Sequence, residues 1–73
     1  MDTLDLRGLR CPLPLLRLKQ ALHQRTTGAE VMVLTSDSGA LRDIPAFLRQ
    51  SGHALLDQRT GEAGETAFHI RKG

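Results

Sequence analysis

Glu30-Val31-Met32-Val33-Leu34-Thr35 is a continuous apolar run with β-branched members, bounded by Gly28 on one side and by the polar Ser36-Asp37-Ser38 on the other. A run of this length and composition reads as a buried strand at the centre of a sheet. On both flanks the period changes. Upstream, from Pro12 to about Gln24, Leu15, Leu18 and Leu22 fall at i, i+3 and i+7 with Ala21 beside them, the spacing of one helical face. Downstream, Leu41, Ile44, Phe47 and Leu48 show helical spacing again, with Ser38 as N-cap and Gly52 as the C-terminal stop. Pro45 would sit inside a helix that began at Gly39 and would clash with the carbonyl of Leu41. The expectation is therefore a loose turn first and a regular helix from about Ile44.

The chain ends complete the pattern. Leu4 and Leu6 alternate with Asp5 and Arg7 and run into Gly8, the mark of a short first strand ending in a turn. Two further strands, His53 to Arg59 and Thr66 to Arg71, are joined as a hairpin by the Gly-containing stretch Thr60 to Glu65. The order is βαβαββ. Right-handed crossovers place both helices on one face of a four-stranded mixed sheet, so the expected fold class is α+β, a two-layer α/β sandwich with the other sheet face more solvated.

Composition narrows the function classes. The 73 residues suit a single domain spanning 1–73, with 40% hydrophobic and 25% charged residues, a globular balance. Trp and Tyr are absent and Phe47 and Phe68 are the only aromatic side chains, which leaves little for stacking on nucleobases. A net charge of +2 does not point to nucleic acid or membrane surfaces, and no apolar run approaches the roughly 20 residues of a membrane span. One cysteine excludes an internal disulfide framework, and the three histidines, His23, His53 and His69, do not pair with it in a metal-ligand spacing. No cofactor or metal is expected, the natural compartment is a reducing cytoplasm, and the default state is a monomer. No paired carboxylates, Ser-His-Asp set or phosphate-cradling glycine loop is present.

Chemistry concentrates in Gly8-Leu9-Arg10-Cys11-Pro12-Leu13-Pro14-Leu15, which joins a strand end to a helix start and holds the chain's single thiol. Proline is tolerated in the first helical turn, where its missing N–H has no intrahelical acceptor to lose. Cys11 is accordingly expected as the N-cap, Pro12 at the first helical position and Pro14 at the third, with the sulfur above the positive end of the helix dipole. Such a site favours the thiolate. Arg7 and Arg10 stand close by in sequence. The residues alone leave two readings open: a small buried cysteine beneath a proline-started helix, or an exposed nucleophile presented on a rigid turn.

Cys-Pro-x-Pro following Leu4 and Gly8-Leu9-Arg10, in a chain of this length, resembles the TusA/SirA family of small sulfur carriers. Gly28-Ala29-Glu30, Asp37, Arg42-Asp43-Ile44-Pro45, Gly52-His53 and Ile70-Arg71-Lys72-Gly73 are similar to that family's pattern, so the likeness covers essentially the whole chain. It implies a sulfurtransferase acting as a carrier: Cys11 accepts sulfane sulfur as a persulfide from a cysteine desulfurase or another donor and relays it to a downstream acceptor protein. With no second cysteine, the acceptor thiol must come from a partner. A docking surface is expected on the first helix, where Leu13, Leu16, Gln20 and His23 form a band turned away from the core with Lys19 at its edge, and Arg10, Asp37 and Arg42 are further candidates for partner contact. Leu13 stands where carriers feeding tRNA thiolation often have Glu, and Ser38 where Pro commonly follows the Asp. Those differences bear on partner choice and leave tRNA thiolation, cofactor maturation and sulfur oxidation as alternative routes. The competing classes are a non-catalytic regulatory or RNA-associated module of similar fold, and a thiol redox sensor.

Overall fold

The computed structural model describes residues 1–73 and orders the elements as β1 (Asp2–Asp5), α1 (Leu13–His23), β2 (Glu30–Thr35), α2 (Ala40–Ser51), β3 (Ala54–Thr60) and β4 (Thr66–Arg71). The strands form one sheet in the order β1-β2-β4-β3. β2 lies inside it, parallel to β1 with Leu4 opposite Val33, and antiparallel to β4 with Val33 opposite Phe68. β2 and β3 are both antiparallel to β4, so they run the same way and the chain passes from one to the other through α2 across the intervening β4. The expected βαβαββ mixed sheet with both helices on one face is the observed fold.

Register follows from side-chain alternation. Val31, Val33 and Thr35 are buried beneath the helices, and their partners Ile70, Phe68 and Thr66 are buried with them. A slip of one residue would send these side chains to the other face, which is why the pairing is specific. The apolar run is the central strand of the sheet, and the face away from the helices is the more solvated one, as the two-layer reading expects. Only one face is covered: Met32 and Leu34 point to the open face and are half-buried there. Leu6, Leu18, Leu22, Ala40, Ile44 and Leu48 complete the core between the two layers, with Leu4, Leu9 and Phe47 packed against its margin.

Both helix starts depart from expectation. α1 begins at Leu13 with Pro12 in the cap position, so Cys11 precedes the N-cap and Pro14 is the second helical residue. Leu18, Ala21 and Leu22 are buried as anticipated, but Pro14 fills the first turn of the buried stripe and Leu15 is only half-buried. α2 begins at Ala40, not near Ile44, and its cap is Gly39, not Ser38. The reason lies in packing: starting there puts Ala40, Ile44 and Leu48 at i, i+4 and i+8 on the core face, while Leu41 turns outward. The first turn tightens ahead of Pro45. Ala40, Leu41 and Arg42 donate to the carbonyls of Asp37, Ser38 and Gly39, each three residues back and each 3.2 Å away.

At the far end of α2, Gly52 adopts φ +79° and its N–H caps the Leu48 carbonyl, the left-handed stop that glycine makes cheaply. β3 is an edge strand, largely exposed, with a register shift between Leu55 and Asp57. The bulge interrupts the unpaired ladder that an edge otherwise presents to other chains.

Candidate functional site

The site is built where β1 delivers the chain to α1. Leu6 N–H donates to the Leu34 carbonyl at 2.8 Å, and Gly8, at φ +86°, donates its N–H to Ser36 Oγ at 2.8 Å. These bonds moor the 6–13 turn to the end of β2 and to the loop that opens α2. Arg7 is taken up locally: its guanidinium forks onto both Asp5 oxygens at 2.8 Å, and this pairing lowers the Asp5 carboxyl from 3.8 to about 2. It does not serve the sulfur.

Leu13 N–H donates to the Arg10 carbonyl at 2.8 Å and Leu16 N–H to the Pro12 carbonyl at 3.1 Å, which closes the turn and starts the helix. The Cys11–Pro12 peptide is cis. Cys11 makes no cap; its side chain is exposed and lies against the start of α2. The thiol donates to Asp43 Oδ2 at 3.3 Å, a contact between residues 32 positions apart. Gly39 closes the approach: a Cβ there would stand 3.4 Å from Cys11 Cβ and 2.9 Å from Asp37 Oδ2. Pro12, Pro14, Leu15, Asp37, Ala40 and Asp43 surround the cysteine in a narrow crevice between the two helix starts.

Placement reverses the electrostatic expectation. The hydrogen bond to Asp43 raises the Cys11 pKa above its ordinary value, and partial desolvation and the negative charges of Asp43 and Asp37 push the same way. Arg42 opposes them, but its guanidinium is exposed and leans toward Asp43 Oδ1 at 3.4 Å. The site therefore favours the protonated thiol over the thiolate. The reading from helix position alone expected a thiolate because it included the dipole and omitted the carboxylate that α2 brings across.

Of the residues singled out for docking, Leu13 and Leu16 are each 45% exposed on α1, while Arg10 and Arg42 are exposed and Asp37 is half-buried beside Gly39. Lys19 is elsewhere. Its ammonium sits 5.3 Å from the Phe47 ring centre, about 9 Å along α1 from Leu13 at the helical rise, facing a hollow with His53 and Lys72. Two residues escaped the sequence reading. Leu41, expected in the core, is 40% exposed on the first turn of α2, and Asp43 was quoted only as part of a motif. An acid in a first helical turn reads as a partner for the dipole; nothing local announces that it meets a thiol.

Two of the three histidines hold structural positions, His69 against Glu30 at 2.6 Å and His53 accepting from the Gly73 N–H at 3.0 Å, while His23 is exposed at the end of α1. No three His, Cys, Asp or Glu side chains gather in a metal-binding arrangement, and no helix is long and apolar enough to cross a membrane.

Known proteins share this architecture. A solved SirA-like protein from Desulfitobacterium hafniense superposes with a TM-score of 0.85 over 100% of this chain and 99% of its own, at 26% identity. The sulfur carrier protein TusA of Allochromatium vinosum is 39% identical over 69 residues, 94% of this chain and 90% of that one. A Neisseria meningitidis serogroup A protein, named provisionally as a sulfur carrier, is 55% identical over 56 residues, 77% and 76% of the two chains. The family model described as sulfurtransferase TusA matches residues 2–72, and on that match, with the fold and the cysteine turn already described, the chain belongs to the TusA family.

Proposed function

We propose that this protein is a sulfur carrier that takes sulfane sulfur onto Cys11 and passes it to a second protein. The single observation that supports it most is the placement of the chain's lone thiol: exposed, outside the core cluster, on a turn braced by two prolines and a strand. A structural cysteine would be packed among the apolar side chains.

The chemistry needs one thiol and no oxidant. Cys11 Sγ attacks the outer sulfur of a donor persulfide, a new Sγ–S bond forms as the donor S–S bond breaks, and the donor sulfur leaves as a thiol with the proton that Cys11 gives up. The products are Cys11 persulfide and reduced donor. In the second half-reaction an acceptor thiol attacks the outer sulfur and Cys11 is restored. The same two steps describe a sulfurtransferase, with a cysteine desulfurase or another sulfane-sulfur source as donor and a thiol-bearing protein as acceptor.

Leu13 and Leu16 on α1 and Leu41 on the first turn of α2 are exposed apolar side chains on the two helices that flank the cysteine turn, so the acceptor is one that docks by apolar contact with these helix starts. Which route the sulfur takes, tRNA thiolation or another, is then set by which acceptor fits this surface. A free, exposed thiol belongs in a reducing cytoplasm.

Intact-protein mass spectrometry after incubation with a cysteine desulfurase and free cysteine tests the proposal. The expected result is a reductant-sensitive gain of one sulfur in the native chain and none in Cys11→Ser. Failure with desulfurase, thiosulfate and polysulfide donors alike would overturn it.

A further inference from the structure

We propose that Asp43 is the positioning residue that keeps the unloaded Cys11 a hydrogen-bonded thiol and so guards the empty carrier. This rests on the carrier reading for its purpose, though not for its geometry. A carrier waits between partners with its thiol exposed, where oxidants and electrophiles reach it as readily as donors do. Reaction with either proceeds through the thiolate. Holding the proton on sulfur slows both, provided that the acceptor of that proton is fixed.

Asp43 meets this condition. It lies in the first turn of α2, one residue before Ile44, which is fully buried, so its backbone is anchored by the core. Its Oδ2 accepts the Cys11 S–H at 3.3 Å, and Gly39, one turn earlier, lets the cysteine approach to a distance that a larger residue would crowd. The charged groups facing the sulfur are Asp43 and Arg42 from α2 and Asp37 from the loop before it, two anions against one solvent-facing cation. Asp37 Oδ2 is buried without a hydrogen-bond partner and faces the Gly39 side of the crevice, so it adds charge but not direction.

The same arrangement distinguishes the two states of the carrier. A persulfide is a stronger acid than the thiol from which it is made, so the loaded cysteine ends in an anion at neutral pH. Asp43 can accept a hydrogen bond from the thiol and only repels the persulfide anion. The outer sulfur is thus turned away from α2 toward solvent and the acceptor, and the guard acts on the empty form alone.

The first test needs no variant: thiolate absorbance is titrated in the native chain and in the same chain unfolded in urea. The native midpoint is expected above the unfolded one; an equal or lower midpoint would overturn the proposal. The second compares alkylation of native, Asp43→Asn and Asp37→Asn proteins by iodoacetamide from pH 6 to 10, with circular dichroism to establish folding. Asp43→Asn is expected to move the profile to lower pH and to speed alkylation at pH 7.5 by roughly threefold or more, exceeding the effect of Asp37→Asn. An unmoved profile, or a larger effect from Asp37, would assign the role elsewhere. Neither test uses a sulfur donor, so a failure to load sulfur would leave these outcomes unchanged, and an unmoved profile would leave the carrier function standing.

Discussion

Gly39 stands so close to Cys11 that a Cβ on it would lie 3.7 Å from the sulfur. Its φ of −64° is ordinary for any residue, so the reason for glycine here is space and not backbone freedom. Gly39→Ala sets two effects against each other: the added methyl restricts the unfolded chain, worth about 0.4–1 kcal/mol at a φ that alanine also adopts, and it meets Asp37 Oδ2 at 2.9 Å. Stability is expected to change by less than about 1 kcal/mol for that reason. Sulfur loading, measured as the rate of persulfide formation, is expected to fall severalfold because the crevice narrows. An unchanged loading rate would mean that donors approach the sulfur from the α1 side alone.

The exposed leucines on the two helix starts yield a prediction of the opposite kind, in which chemistry is untouched and docking fails. Leu16→Glu and Leu41→Glu replace side chains that already face water, so each is expected to shift stability by no more than about 0.5 kcal/mol. Alkylation of Cys11 by a small reagent is expected to continue at the native rate. Transfer of sulfur to a protein acceptor is expected to slow by tenfold or more in at least one of the two, because a buried carboxylate in an apolar contact goes unpaired. Transfer at the native rate by both variants would place the docking surface elsewhere.

Most of the fold was legible because it is carried by period. Val31 and Val33 alternate, Leu18 and Leu22 recur at helical spacing, and Gly52 ends a helix, all from local chemistry. What was not legible depends on pieces distant in sequence. That Leu41 faces outward follows from Ala40 and Ile44 fitting the core better in that phase. That the site favours the Cys11 thiol follows from α2 carrying Asp43 against it, and a reading confined to residues 8–15 contains no carboxylate at all. Cys11 itself was readable, its proton was not.

The Asp5–Arg7 fork predicts an acid-range titration. Its hydrogen bonds depress the Asp5 carboxyl from 3.8 to about 2 in the folded chain, so the pairing stabilises the fold above the unfolded value and is lost as pH falls through the folded one. By NMR the Asp5 side-chain carboxyl is expected to titrate near 2, and Arg7→Ala is expected to return it toward 3.8. A native midpoint already near 3.8 would show that the fork does not persist in solution.

Pro45 supplies the last prediction. It sits six residues into α2, where it has no N–H to offer the Leu41 carbonyl, and the turn ahead of it is closed by bonds three residues back. A proline inside a helix is about 3 kcal/mol less favourable than alanine, while its restriction of the unfolded chain returns roughly 0.4–1 kcal/mol. Its ring is also half-buried, so some packing is lost when it is removed. Pro45→Ala is therefore expected to stabilise the protein by about 1–2 kcal/mol in urea denaturation, with an unchanged m value. If the midpoint stayed where it is or fell, the tightened first turn would be shown to relieve the proline fully. The α2 start, with Asp43 in it, would then be shaped by Pro45 and not merely tolerant of it, and the same variant would move the Cys11 alkylation profile as well.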